Sequence, residues 1–257
     1  MNYGLYLSAT GVSANSHRID VLANNLANAE TGGFKRELTA FQARPAPAET
    51  KGRQGDSNPM LDLIGGGIIA LPSRLDTGQG VLEPTSNPLD LGINGKGYFQ
   101  VQDAGGEKRL TRDGRMMLDR DGYLVTANDP AAKVLGENGE PVKLQGFNAM
   151  ELNVDQRGSI RATGNPAVLA TVGVVDVPPD ARLVPIGNSM LAAPDGTAFG
   201  PASGLVRGGV VERSNVEPAT ELTQMMNASR LLEMNANMLR FQDQATGRLV
   251  SEVGKIG

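Results

Sequence analysis

Histidine occurs once in this chain, as His17, and cysteine is absent. A Ser-His-Asp relay would have to use His17, which lies inside an amphipathic stretch, and no Gly-x-Ser-x-Gly elbow is present to offer a nucleophile. A histidine facing solvent or another subunit is the plainer reading. Missing cysteine rules out disulfides and thiolate metal sites. Asp119-Arg120-Asp121-Gly122 has the opening of a calcium loop, but Tyr123 stands where the next oxygen donor belongs and no helix precedes it. An Asp-Gly hairpin turn is expected there instead. Gly95-Lys96-Gly97 lacks the earlier glycine of a phosphate-binding loop. The 28 acidic residues show no spacing that would pair two of them for acid–base work. Net charge is −4 with Lys and Arg spread along the chain, the reverse of the concentrated basic patch that nucleic acid selects. No enzyme activity, cofactor, metal or nucleic-acid partner is expected.

The informative pattern is apolar and lies at the two ends. Leu5, Val12, Ile19 and Leu26 recur every seven residues, with Leu22 between the last two. Near the other end Leu231, Met234, Met238, Phe241 and Ala245 alternate steps of three and four. Leu222, Met225, Leu232 and Leu239 form a second row beside them. Such spacing gathers each set on one side of a helix, as a coiled-coil seam requires. It predicts a first helix from about Tyr3 to Asn28, stopped by Gly32-Gly33. A second helix opens near Pro218, whose fixed φ and missing N–H suit the first helical position, and runs almost to Lys255. Two apolar rows let that helix touch its own partner and a neighbouring subunit together, and methionine adapts to slightly different contacts. Glu221, Arg230, Glu233, Arg240, Asp243 and Arg248 make its solvated face.

Between the helices the pattern is one of strands and turns, in a chain of 257 residues with 33 Gly and 15 Pro. From Arg44 to Gly67 apolar residues are sparse, and the stretch reads either as an extension that orders on a partner or as a plain surface linker. Leu89, Leu91 and Ile93 alternate with polar neighbours, and Asn94-Gly95 predicts a hairpin turn into Tyr98-Phe99-Gln100-Val101. Asp113-Gly114 and Asp121-Gly122 flank Met116-Met117-Leu118, and Glu137-Asn138-Gly139-Glu140 predicts another turn. Weaker strands are expected at 151–154, 159–162 and 170–177. Short strands with frequent turns indicate an antiparallel β domain. The expected fold is thus α+β. A discontinuous helical assembly domain (1–36 and 212–257) pairs in coiled-coil fashion around a central antiparallel β domain (75–211), with an extended linker at 37–74. No apolar run approaches the roughly 20 residues that cross a bilayer. The N-terminus lacks the basic-then-apolar pattern of a cleaved secretory signal, so any export is expected without cleavage.

Residues 23–36, ANNLANAETGGFKR, resemble the N-terminal signature of the flagellar rod and hook proteins. Residues 87–101, NPLDLGINGKGYFQV, are similar to that family's central hairpin and are followed, as there, by Thr111-Arg112-Asp113-Gly114 and Gly122-Tyr123-Leu124-Val125-Thr126. Residues 214–222, SNVEPATEL, resemble the stretch that opens the family's terminal helix. Three matches in order span nearly the whole chain, leaving out mainly 44–67 and 146–205. Glu30 replaces a common Asn or Ser, and Pro218 replaces an apolar residue, which bears only on helix boundaries.

The resemblance implies a structural subunit of the bacterial flagellar basal-body rod. It would polymerise into a helical tube that transmits torque for motility. Its partners would be copies of itself, adjacent rod and hook subunits and the flagellar type III export apparatus, without insertion in a membrane. Its location would be the periplasm-spanning rod. Residues 34–38 followed by Arg44-Pro45, and Leu232-Glu233-Met234, look slightly more like the proximal rod form than the distal one. The expected assembly interface is Leu5, Val12, Ile19, Leu22 and Leu26 on the first helix. On the second it is Leu222, Met225, Leu231, Leu232, Met234, Met238, Leu239 and Phe241. Rival readings are a discrete extracytoplasmic binding module, a cell-wall hydrolase associated with the flagellum, and, within the family, a distal rod or hook subunit.

Overall fold

A computed structural model describes residues 3–45, 66–178 and 181–253. The chain divides into two compact units, one of residues 1–27, 37–74 and 217–257, the other of 28–36 and 75–216. The fold is mixed α+β, with the helices in the first unit and antiparallel sheets in the second.

The first unit contains helix α1 (Tyr3–Ala27), strands β1 (Glu37–Ala43) and β2 (Ile68–Leu75), and helix α2 (Pro218–Val253). Both helices have the expected bounds, and the departure at Pro218 does not delay α2, because that position needs no backbone N–H. Residues 37–74, expected as an extended linker, instead supply two strands that pair with one another. The Arg44 N–H donates to the Gly67 carbonyl and the Gly66 N–H to the Arg44 carbonyl, closing the ladder at residues that sequence composition assigned to the loop. Most of the proposed extension, 46–65, lies outside the described residues.

The second unit begins with β3 (Leu82–Pro84), β4 (Leu91–Asn94), β5 (Tyr98–Gln102), β6 (Lys108–Thr111), β7 (Met116–Leu118), β8 (Leu124–Thr126) and β9 (Lys133–Val134). It continues with β10 (Leu152–Val154), β11 (Ser159–Ala162), β12 (Val168–Thr171), β13 (Val174–Asp176), β14 (Val184–Gly187) and β15 (Met190–Ala192). The last strands are β16 (Gly200–Pro201), β17 (Leu205–Gly208) and β18 (Val210–Glu212). The main sheet runs β14-β15-β6-β5-β9-β8-β7, with β13 joining β5 to β16, and β10-β11-β12 form a separate sheet. Leu89, Leu91, Ile93, Phe99, Val101, Met116, Leu124 and Ile160 fill the core between them. With aromatics at 4% of the chain, that core is mostly aliphatic.

Two turns expected from sequence do not join paired strands. Asn94-Gly95 is followed not by a β4–β5 hairpin but by separation of the two strands, β4 pairing with β17 and β5 with β6, β9 and β13. The Gly204 N–H donates to the Lys96 carbonyl, so the chain returning from residue 201 takes the place a hairpin partner would hold. Asp113-Gly114 likewise leads from β6 to β7, which do not pair. By contrast Asp119–Gly122 closes the β7–β8 hairpin: the Asp119 carboxylate accepts the N–H groups of Asp121 and Tyr123, and Gly122 has φ +81°. The calcium-loop resemblance is a turn.

Candidate assembly interface

In the first unit α1 packs along α2. Their alignment is antiparallel, since a side chain added at Gly4 would meet Gln242, one at Gly11 would meet Asn235, and Asn25 binds Glu221. On α2 the row Met225, Ala228, Leu232, Asn235, Leu239, Gln242 and Thr246, alternating steps of three and four, is buried or half-buried. The other row stays open: Leu231 is 44% exposed, Met234 63%, Met238 53% and Phe241 68%. Leu222 belongs with the open side at 46% exposure, next to Met226, rather than with Met225, Leu232 and Leu239. On α1, Leu5 is exposed, Val12, Ile19 and Leu26 are half-buried, and Leu22 is already covered within the chain. The seven-residue row read from sequence therefore sits one position off the line Gly4, Gly11, Arg18 and Asn25 that lies along α2.

One polar contact in this unit was not legible in the sequence. Asn25, fully buried, donates to the Glu37 carbonyl and accepts the Glu37 N–H at 2.9 and 2.8 Å. Its amide also donates to Glu221 Oε2 at 3.2 Å. One side chain thereby satisfies the backbone at the start of β1 and meets the first turn of α2. Its partners lie 12 and 196 positions away, beyond the reach of helix periodicity.

The second unit holds a buried ionic cluster to which the segments that carry the family resemblance contribute Lys35, Arg112 and Tyr98. Glu212, at the end of β18, is 1% exposed and accepts hydrogen bonds from Lys35 Nζ at 2.6 Å, Arg112 Nη1 at 3.0 Å and the Gly80 N–H at 2.9 Å. Lys35 also donates to the Gly78 carbonyl, and Arg112 to the carbonyls of Ile93 and Gly95, with its guanidinium over the Tyr98 ring. Burial pushes the Lys35 pKa down, with Glu212 opposing, and pushes the Tyr98 phenol up, with Arg112 opposing. Asn215 adds a second tie, accepting the Arg36 N–H and donating to the Asp76 and Gly78 carbonyls. These contacts draw 28–36 and 212–216 into the β unit, so its borders fall inside the stretches that periodicity assigned to the helical domain.

The motif glycines serve this packing. Gly33 has φ +65°, and a Cβ there would lie 2.2 Å from the Asp113 nitrogen. Gly114 lets its backbone meet that of Leu91, whose carbonyl oxygen stands 1.5 Å from where a Cβ would be. Between them Asp113, buried, binds the Arg115 guanidinium through both carboxylate oxygens and accepts from Asn128. The Asp113 hydrogen bonds raise the Arg115 pKa. All this chemistry is structural, each charge being satisfied by another group of the same fold.

Among the described residues no three His, Asp or Glu side chains gather as a metal site would need, and no helix is long and apolar enough to cross a membrane. Ion clusters that serve the fold and an open apolar row on a long helix are features that suit a structural subunit. Residues 5–35 match the family described as flagella basal body rod protein. Residues 92–162 match the flagellar hook protein FlgE/F/G D1 domain, and 207–252 the flagellar basal body rod FlgEFG protein C-terminal family. The chain is 31% identical over 264 residues to the flagellar basal-body rod protein FlgF of Caulobacter vibrioides, covering 100% of both. It is 30% identical to FlgG of Agrobacterium fabrum, with 93% of this chain and 95% of the relative covered, and 29% to FlgG of Buchnera aphidicola from Schizaphis graminum, with 95% and 97% covered. The chain belongs to the flagellar basal-body rod protein family.

Proposed function

We propose that the protein polymerises with copies of itself, and with adjacent rod and hook subunits, into the helical tube of the rod, α1 and α2 pairing in coiled-coil fashion as its assembly unit. The observation that carries this reading is the open row Leu231, Met234, Met238 and Phe241, on a helix whose other row is already occupied. Covering one such side chain supplies about 1.5–3 kcal/mol, so a row of four, repeated at every subunit, sums to a stiff shaft. Contacts between unlike patches whose rotation does not close generate a filament, which is the geometry a torque-transmitting rod needs. Leu5, Val12, Ile19 and Leu26 on α1, with Leu222 on α2, extend the contact surface in this proposal. Leu22, Met225, Leu232 and Leu239 hold the helix pair together. Export by the flagellar type III apparatus without a cleaved signal, and a place in the periplasm-spanning rod, proximal rather than distal, belong to this reading, and the motif resemblance is what supports them.

Phe241→Asp and Met238→Asp test the reading. Both side chains are exposed in the single chain, so its melting temperature should stay within a degree or two, while a charge forced into an apolar seam costs several kcal/mol on assembly. Cells carrying either change should build no complete rod and should not swim, whereas Arg248→Asp, at another exposed position, should be tolerated. Normal swimming by Phe241→Asp cells would show that this row is not a seam. A chain that stays monomeric by light scattering at every concentration, in conditions where rods form, would favour a discrete binding module.

A further inference from the structure

The helix pair of the first unit is matched by size, level by level. A Cβ added at Gly11 would lie 2.9 Å from Asn235 Nδ2 and within 3.2 Å of that amide's other two heavy atoms. One added at Gly4 would lie 2.8 Å from Gln242 Nε2. Two amide side chains, seven residues apart, thus rest on two patches of bare backbone, also seven apart. Between these levels and the Asn25–Glu221 contact the sizes invert, because the same alignment places Arg18 level with Ala228, which is 1% exposed. Gln242 Oε1 is buried without a hydrogen-bond partner, so packing rather than a specific bond seats that side chain.

We propose that these complementary pairs form a register key that fixes the alignment of α1 on α2. The key thereby sets the height at which the open row of α2 meets a neighbouring subunit. The aliphatic positions cannot do this alone. Leucines repeating every seven residues pack nearly as well after a slip of one heptad, about 10.5 Å along the helix. A slip one way sets Asn235 against Arg18, two large side chains on one level. A slip the other way sets Gly11 against Ala228 and leaves a void where Asn235 now sits. Asn235 gives the stricter lock, because all three amide heavy atoms crowd Gly11, whereas Gln242 has one more rotatable bond with which to swing clear of Gly4.

The inference rests on the α1–α2 pairing of the proposed assembly unit, and the test separates the two. Since the chain has no cysteine, introduced pairs report alignment cleanly in the purified full-length protein. Leu7→Cys with Leu239→Cys marks the native register. Leu7→Cys with Leu232→Cys, and Leu7→Cys with Thr246→Cys, mark the two one-heptad slips. In the otherwise native chain only the first pair should cross-link; its failure would overturn the helix pairing itself. Adding Gly11→Leu should abolish that cross-link and swimming. Gly11→Ala should weaken both, and Asn235→Ser added to it should restore both, because the smaller side chain still fills the notch that the new methyl has narrowed. Native cross-linking and swimming in Gly11→Leu would overturn the key, as would failure of Asn235→Ser to rescue Gly11→Ala.

Discussion

Glu212 sits at the centre of the buried ionic cluster of the β unit. Its carboxylate is the shared counter-charge of two buried cations, Lys35 at 3% exposure and Arg112 at 4%. Removing one partner of a buried ion pair costs about 3–5 kcal/mol, because the other is left charged away from water. Glu212→Gln should therefore destabilise the full-length chain by about that amount in urea unfolding followed at neutral pH. Lys35→Met should cost clearly less, since Glu212 keeps Arg112 and the Gly80 N–H. The double variant should recover part of the Glu212→Gln loss, because it removes one of the stranded cations. Equal losses for the two single variants would show that the cluster is not organised around Glu212. The same logic explains the motif residues, whose partners are chosen by charge and close backbone approach rather than by any ligand.

Among the elements, the short segment 28–36 has the largest consequence for its length. It is neither helix nor strand, yet it delivers Gly33, whose N–H donates to the Glu212 carbonyl, and Lys35 to the core of the β unit. A fragment cut at the borders that periodicity suggests, 75–211, lacks both Lys35 and Glu212 and strands Arg112 in its interior. We expect that fragment to melt broadly or aggregate. A fragment of residues 28–216, which retains the whole cluster, should melt cooperatively by circular dichroism. Comparable melting of the two would place the cluster outside the stabilising core. On α2 a single element carries two kinds of surface, one row closed against α1 and one open.

For the molecule as a whole, stability should be uneven in a way that matches its use. The core strands are buried on both faces, while α2 presents Met234, Met238, Phe241, Leu249 and Val250 largely to solvent. Local opening is cheapest where few apolar contacts must break. Hydrogen exchange on the unassembled chain should therefore be slowest at residues 98–101 and fastest along α2 beyond about residue 240, with the latter becoming protected in the assembled rod. Uniform protection of α2 in a verified monomer would contradict this.

The sequence by itself determined both helices to within a residue or two, strands β4, β5, β7, β10, β11 and β13, the Asp119–Gly122 hairpin and the family, because helix periodicity, turn chemistry and motif order are local. Tertiary structure alone decided which apolar row of α2 is open, since two adjacent rows look alike until one meets α1. It also decided that β4 pairs with β17 across more than a hundred residues instead of with β5, and that 28–36 and 212–216 belong to the β unit. Lys35 and Glu212 are 177 positions apart, and Asn25 and Glu221 are 196 apart. No spacing rule reaches that far. Such pairs are selected by the cost of burying a charge or an amide unmet, a quantity that exists only once the chain has folded around it.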